Sequence, residues 1–204
     1  PLVDIAVLVV SVQLGRLATL IKEPDYVFLI PREAQMVSYF KQALGYSSIL
    51  ALLVQVLLWF ILMPFLQRTS QVTAMDLFGL LIAMIALKMA WLNADLNRKY
   101  RSGVKVAVNH WLIRLIIPVV VFATGIYTSY LVSAGLAVVV LAYYCYLNRD
   151  LTKYPVNWLA AVADENSRMH GVYSFFNLFT DVPSMQGTVK RRRYLDVFLR
   201  KIRL

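Results

Sequence analysis

The 204-residue sequence predicts an all-α polytopic membrane protein of about five transmembrane helices with cytoplasmic amphipathic helices, and three observations carry that prediction. Tyr46 to Leu66, Asp76 to Leu92 and Trp111 to Leu147 are almost purely apolar, and about 20 apolar residues match the ~30 Å hydrocarbon thickness of a bilayer. The cations fall between these stretches: four in 16–45, four in 93–110 and ten in 148–204, or 18 of the 21 Lys and Arg residues. Those segments are alternate connections if Trp111 to Leu147 crosses twice, so the positive-inside rule puts them in the cytoplasm. Trp91 and Trp111 flank one connection, and Tyr127 and Tyr130 mark the opposite end of the fourth crossing, as aromatic belts do.

Taken in order, residues 1–147 form the transmembrane domain, with crossings at about 1–19, 46–66, 76–92, 111–130 and 131–147. The cytoplasmic connections are 20–45 and 93–110, and 148–204 is a cytoplasmic basic helical segment. Pro1 to Leu20 lacks the basic start and small-residue cleavage site of a signal peptide. It is expected to run from outside to inside. A start at Pro and an end at Leu204 inside a helical pattern predict a piece of a longer membrane protein. The linker Gln67 to Met75 carries only Arg68. Ser129 to Gly135 supplies the small and polar residues for the outer hairpin between the last two crossings.

A net charge of +10 with a pI near 9.8 would suggest nucleic acid in a soluble protein. Here topology accounts for it, and no nucleic-acid partner is expected. Lys88 and Arg114 each lie within a turn or so of the cytoplasmic end of a crossing, in reach of snorkelling to the headgroups. Asp4 sits near the outer end of the first crossing. Gly79, Ala83, Ala86 and Ala90 recur at spacings of 4, 3 and 4, a small-residue face that suits close helix packing. Catalytic chemistry is thin: the histidines are His110 and His170, the lone Cys145 cannot form an internal disulfide, and no H-E-x-x-H, G-x-S-x-G, CxxC or P-loop occurs. No catalytic residue, metal ligand or cofactor site is predicted. ATP hydrolysis, if the protein uses it, is expected in a partner.

In the first connection Pro31 suits a first helical position and Glu33 the first turn. Met36, Val37, Phe40, Ala43 and Leu44 then form an apolar stripe opposite Arg32, Gln35, Ser38, Lys41 and Gln42. Such a helix either lies at the membrane surface or docks into a groove of a cytoplasmic partner. Pro31, Arg32, Glu33, Phe40 and Leu44 are the predicted coupling residues. Near the other end, Phe175 and Phe179 stand one helical turn apart, as do Asn177 and Asp181, and Pro183 ends the helix. The aromatic pair is either a partner anchor or internal packing. From Lys190 to Leu204 seven cations border the stripe Leu195, Phe198, Leu199 and Ile202, a pattern expected to bind an anionic leaflet.

The run Tyr173-Ser-Phe-Phe-Asn-Leu-Phe-Thr-Asp-Val-Pro183 followed by Lys190-Arg191-Arg192-Arg193-Tyr194-Leu195-Asp196 resembles the EcsB family, membrane subunits of bacterial ABC transporters. The matching positions are Phe175, Asn177, Leu178, Phe179, Asp181, Pro183, Lys190, Arg191 and Arg192. Leu29-Ile30-Pro31-Arg32-Glu33 is similar to the family's L-L-P-x-E helix start, and Asn93-x-Asp95-x-Asn97-Arg98-Lys99 to its polar turn after the third crossing. Two positions depart from the pattern, Ser174 where a basic residue is common and Phe176 where a small one is. The resemblance implies a bacterial cell-membrane permease paired with a cytoplasmic ABC ATPase subunit and exporting short hydrophobic peptides. It equally brings in the rival reading, a non-transporting scaffold or regulator of protein secretion or intramembrane proteolysis.

Overall fold

In a computed structural model of the chain, which describes residues 2–70, 73–101, 103–151 and 154–177, every element of secondary structure is helical. The chain forms two compact units, residues 1–168 and 169–204. The first unit holds α1 (Leu2–Gln13), α2 (Glu23–Leu29), a 3₁₀ turn Ile30–Arg32, α3 (Glu33–Ser70), α4 (Ala74–Arg98), α5 (Val104–Trp111), α6 (Ile117–Tyr127) and α7 (Tyr130–Leu147). A π-helical turn, Leu112–Ile116, joins α5 to α6, and α8 (Trp158–Asn177) begins in the first unit and ends in the second.

Four helical stretches are long and apolar enough to cross a membrane, Gln35–Arg68, Ala74–Arg98, Val106–Tyr127 and Tyr130–Leu147. The chain is a multi-pass membrane protein. Short connections at 71–73, 99–103 and 128–129 make neighbours antiparallel, so α3 and α5 begin, and α4 and α7 end, at one end of the bundle. The predicted surface helix and second crossing are one continuous helix of 38 residues. At 1.5 Å per residue it is about 57 Å long, well beyond the ~30 Å thickness of the apolar layer. The outer hairpin is tighter than the predicted Ser129 to Gly135, because Ser129 already caps α7, its Oγ accepting the Leu131 N–H at 3.2 Å. At the same end Thr73 and Asp76 close a capping box on α4.

Helix α4 is the centre. Leu77, Leu80, Ala83, Met84, Leu87 and Trp91 are buried along its length, while α3 and α7 expose Leu53, Leu57, Phe60, Val138 and Val139, as lipid-facing surfaces do. Gly79 admits Tyr130: a Cβ at Gly79 would lie 2.9 Å from the Tyr130 backbone, and one at Gly125 2.8 Å from its ring. Tyr130 is therefore only 5 % exposed, not a belt residue as predicted. Tyr127, at 71 %, is in the position of one. Ala83 and Ala86 join the core shared with α1, α3, α6 and α7, and Ala90 packs with Ala94, Ile113 and Tyr144.

The predicted first crossing also ends early. Helix α1 stops at Gln13, and Gly15, at φ +82°, turns the chain into an irregular segment. Lys88 explains the stop. Its ammonium, buried inside the bundle, donates to the carbonyls of Val12 at 3.0 Å, Gly15 at 2.7 Å and Leu14. These are groups at and just past the helix end, which have no helical partner of their own. Lys88 thus turns inward to a helix C-terminus instead of snorkelling outward. A second unsatisfied carbonyl arises at Arg114, because Pro118 has no N–H to return to it. The π-helical turn Leu112–Ile116 absorbs the proline, and the Gln13 side chain donates to the Arg114 carbonyl at 3.5 Å.

Candidate functional site

The end of the bundle where α4 stops is a polar hub, and the spacing of Asn93, Asp95, Asn97, Arg98 and Lys99 builds it. Residues four apart share a helix face, and residues two apart point in nearly opposite directions. Asn93 and Asn97 accordingly both meet Asn148, the cap of α7. The Asn148 amide donates to the Asn93 carbonyl at 2.9 Å and to its Oδ1 at 3.0 Å, and accepts from the Asn97 amide at 3.0 Å. Asp95 faces α5, 2.9 Å from His110. Arg98 and Lys99 face α8, 3.2 and 3.7 Å from Asp164. The Lys99 carbonyl also accepts the Asn157 N–H at 2.7 Å. Burial lowers the pKa of Lys99, and Asp164, Asp95 and Glu165 work against that.

The segment after α1 is fastened to the same hub. Both the N–H and the hydroxyl of Thr19 donate to Glu165 Oε2, at 3.1 and 3.2 Å, and Arg168 adds a hydrogen bond from Nε to Oε1 at 3.1 Å. Burial pushes the Glu165 pKa up, but the hydrogen bonds from Arg168 and Thr19 outweigh it and leave the carboxyl below its ordinary value. Tyr39 donates to the Thr19 carbonyl at 2.5 Å.

The predicted coupling stripe lies inside this hub. Met36 and Phe40 are buried with Leu17, Ile21, Leu96, Tyr100, Leu151 and Val156, and the Phe40 and Tyr100 rings meet edge to face at 5.6 Å. Phe40 has no exposed surface for a partner or for lipid, and Leu44 is partly buried against the same cluster. The reason is that Leu17, Ile21, Leu151 and Val156 cover the stripe with this chain's own residues. Glu33 accepts the Val156 N–H. What stays exposed is the tip before it: Phe28 at 78 %, and Ile30, Pro31 and Arg32.

Between α4, α5 and the start of α8 lie two cavities. One, of about 30 Å³, is lined by Arg16, Trp91, Asp95, Lys99, His110 and Arg114 among others, and is large enough for a water. The other, of about 390 Å³, opens between Arg98, Arg101, His110, Trp111 and Arg114. Trp91, only 2 % exposed, lies beneath two cations, Lys88 Nζ at 4.9 Å and the Arg114 guanidinium at 5.7 Å from its ring. It belongs to the core, and Trp111, at 68 % exposure, is the belt residue of the pair.

Of the second predicted motif, Phe175, Phe176 and Asn177 fall on the last turns of α8 and are exposed. Leu178, Phe179, Asp181, Pro183, Lys190, Arg191 and Arg192, with the amphipathic stretch to Leu204, lie outside the described residues. Sequence reasoning missed Asn148, Thr19, Glu165 and Gly125. A polar residue just past a long apolar run is a helix cap, and that signal was available for Asn148.

Among the described residues no group of three or more His, Cys, Asp or Glu side chains is placed to hold a metal. The fold defines a helical multi-pass membrane protein whose polar hub ties its helix ends together. The family model described as "Bacterial ABC transporter protein EcsB" matches residues 1–204, and the chain belongs to the EcsB family. That description places the family among bacterial ABC transporter proteins. Protein EcsB of Bacillus subtilis (strain 168) is 28 % identical over 185 residues, covering 90 % of this chain and 45 % of that protein. The chain thus spans about half the length of the curated relative it matches. No solved structure matches it.

Proposed function

We propose that this chain is the membrane-embedded part of an ABC exporter permease, coupling ATP hydrolysis in a separate ATPase subunit to the export of short hydrophobic peptides, with its basic loops in the cytoplasm of a bacterial cell. The observation that carries the reading is the exposed tip Phe28 to Arg32 at the basic end of the bundle. Large apolar side chains outside the apolar layer have no lipid to cover them, and such anchors seat in pockets of partner proteins. Behind the tip, Glu33 is bonded to Val156 and Phe40 is locked on Tyr100. A displacement of the tip is thereby passed to the end of α4, the central helix. Family membership supplies the class of partner.

The test is a detergent pull-down of the ATPase with the Phe28→Asp/Ile30→Asp variant. It should release the ATPase while membrane insertion is unchanged. Phe40→Asp should instead lower the yield of folded protein, since its side chain is internal. Full ATPase retention by the tip variant would contradict docking at this tip.

A further inference from the structure

We infer that the cavity between Arg98, Arg101, His110, Trp111 and Arg114 is a binding site for one anionic phospholipid of the leaflet at the basic end. This rests on the site alone and holds whether or not the protein exports peptides.

Charge is the first argument. The carboxylates of the hub are already committed, Asp164 to Arg98 and Lys99, Asp95 to His110, Glu165 to Thr19 and Arg168, and Glu33 to the Val156 N–H. Among the described residues neither Arg101 nor Arg114 has a carboxylate within ion-pair distance. Arg101 lies on the Tyr154 ring at 4.5 Å and donates to the Leu147 carbonyl at 3.4 Å, and its buried Nε makes no hydrogen bond. Arg114 has the face of Trp91. Two guanidinium groups facing one cavity without an anion suit a phosphodiester, which guanidinium binds through paired N–H donors.

Shape is the second. A volume of about 390 Å³ accommodates a phosphoglycerol headgroup. The cavity shares Ala107 and Trp111 with an apolar groove continued by Val108, Leu112, Leu115 and Ile116. Val108, Trp111, Leu115 and Ile116 are exposed within the membrane-crossing stretch Val106–Tyr127. The occupant must therefore be anionic at one end and hydrocarbon at the other, lying along a lipid-facing helix. A phospholipid meets both conditions without leaving its leaflet, and basic pockets between helices at a membrane surface bind such headgroups.

The full chain in neutral detergent would be titrated, by native mass spectrometry, with dioctanoylphosphatidylglycerol, dioctanoylphosphatidylcholine and glycerol 3-phosphate. One phosphatidylglycerol should bind saturably, with phosphatidylcholine and glycerol 3-phosphate at least tenfold weaker. Arg101→Gln/Arg114→Gln should weaken phosphatidylglycerol at least tenfold, and Arg68→Gln at the far end of the bundle should not. Ala107→Trp, which fills the groove and leaves every charge in place, should weaken the lipid and spare glycerol 3-phosphate, and it keeps the test open if the arginine variant fails to fold. Unchanged lipid affinity in Ala107→Trp, or in a folded arginine variant, would overturn the site. Glycerol 3-phosphate binding as tightly as the lipid would show a soluble-anion pocket and overturn the lipid assignment.

Discussion

Lys88 shows how one residue decides where a helix ends. A lysine inside a crossing costs free energy unless its three donors are met, and here three carbonyls at the end of α1 meet them. Replacing it with Met should destabilise the folded protein by about 3 kcal/mol, because buried carbonyls lose a charged donor. Chemical unfolding in detergent measures this, and a change under about 0.5 kcal/mol would contradict the cap. Glu165 carries a pH signature. Its folded-state pKa lies below the ordinary 4.5, so its contribution is fully present above about pH 4.5 and is lost as pH falls through the depressed value. Glu165→Gln should flatten the acid limb of a stability-against-pH curve, and an unchanged limb would contradict the role given to Thr19 and Arg168. Neither residue's role was legible in the sequence. Lys88 is four residues from the predicted end of its crossing, so snorkelling looked sufficient, and the carbonyls that meet Lys88, like the Thr19 that meets Glu165, lie at separations of 70 residues or more.

At the scale of elements, composition and spacing carry most of the information for the apolar helices and little for their ends. The four long spans follow from hydropathy alone, because a bilayer imposes a length on any helix that crosses it. The Pro31 to Leu44 stripe shows the limit: amphipathicity states that a face is buried but not by what. Tertiary segments from both sides of the sequence cover it, and the exposed tip came to light only with the fold. Gly79 and Gly135 separate packing from propensity. Gly79→Ala would put a methyl 2.9 Å from the Tyr130 backbone and should cost about 1–3 kcal/mol by forcing α4 from α7. Gly135→Ala, with nothing within 4 Å, should be neutral or stabilising by up to about 1 kcal/mol. Thermal unfolding of the two variants gives the comparison, and equal shifts would mean that Tyr130 does not seat on Gly79.

For the whole molecule, charge asymmetry and the even number of long spans agree: the starts of α3 and α5 and the ends of α4 and α7 gather at one pole with most of the described cations. Single cysteines at Lys22 and Thr73, in a Cys145→Ser background, should react with a membrane-impermeant maleimide from opposite sides of the membrane. Labelling from one side would require a different count of crossings. The family and the general architecture were legible in a few strings of residues, whereas the hub was not, since it is assembled from short polar segments that share no pattern along the chain. The central claim is coupling of an ATPase to peptide movement. Proteoliposomes containing the full-length membrane subunit and its ATPase, with ATP on the ATPase side, should move a labelled hydrophobic peptide to the opposite side, and the Phe28→Asp/Ile30→Asp variant should not. Stable ATPase binding with no ATP-dependent movement of any hydrophobic peptide would contradict the exporter reading and favour a scaffold.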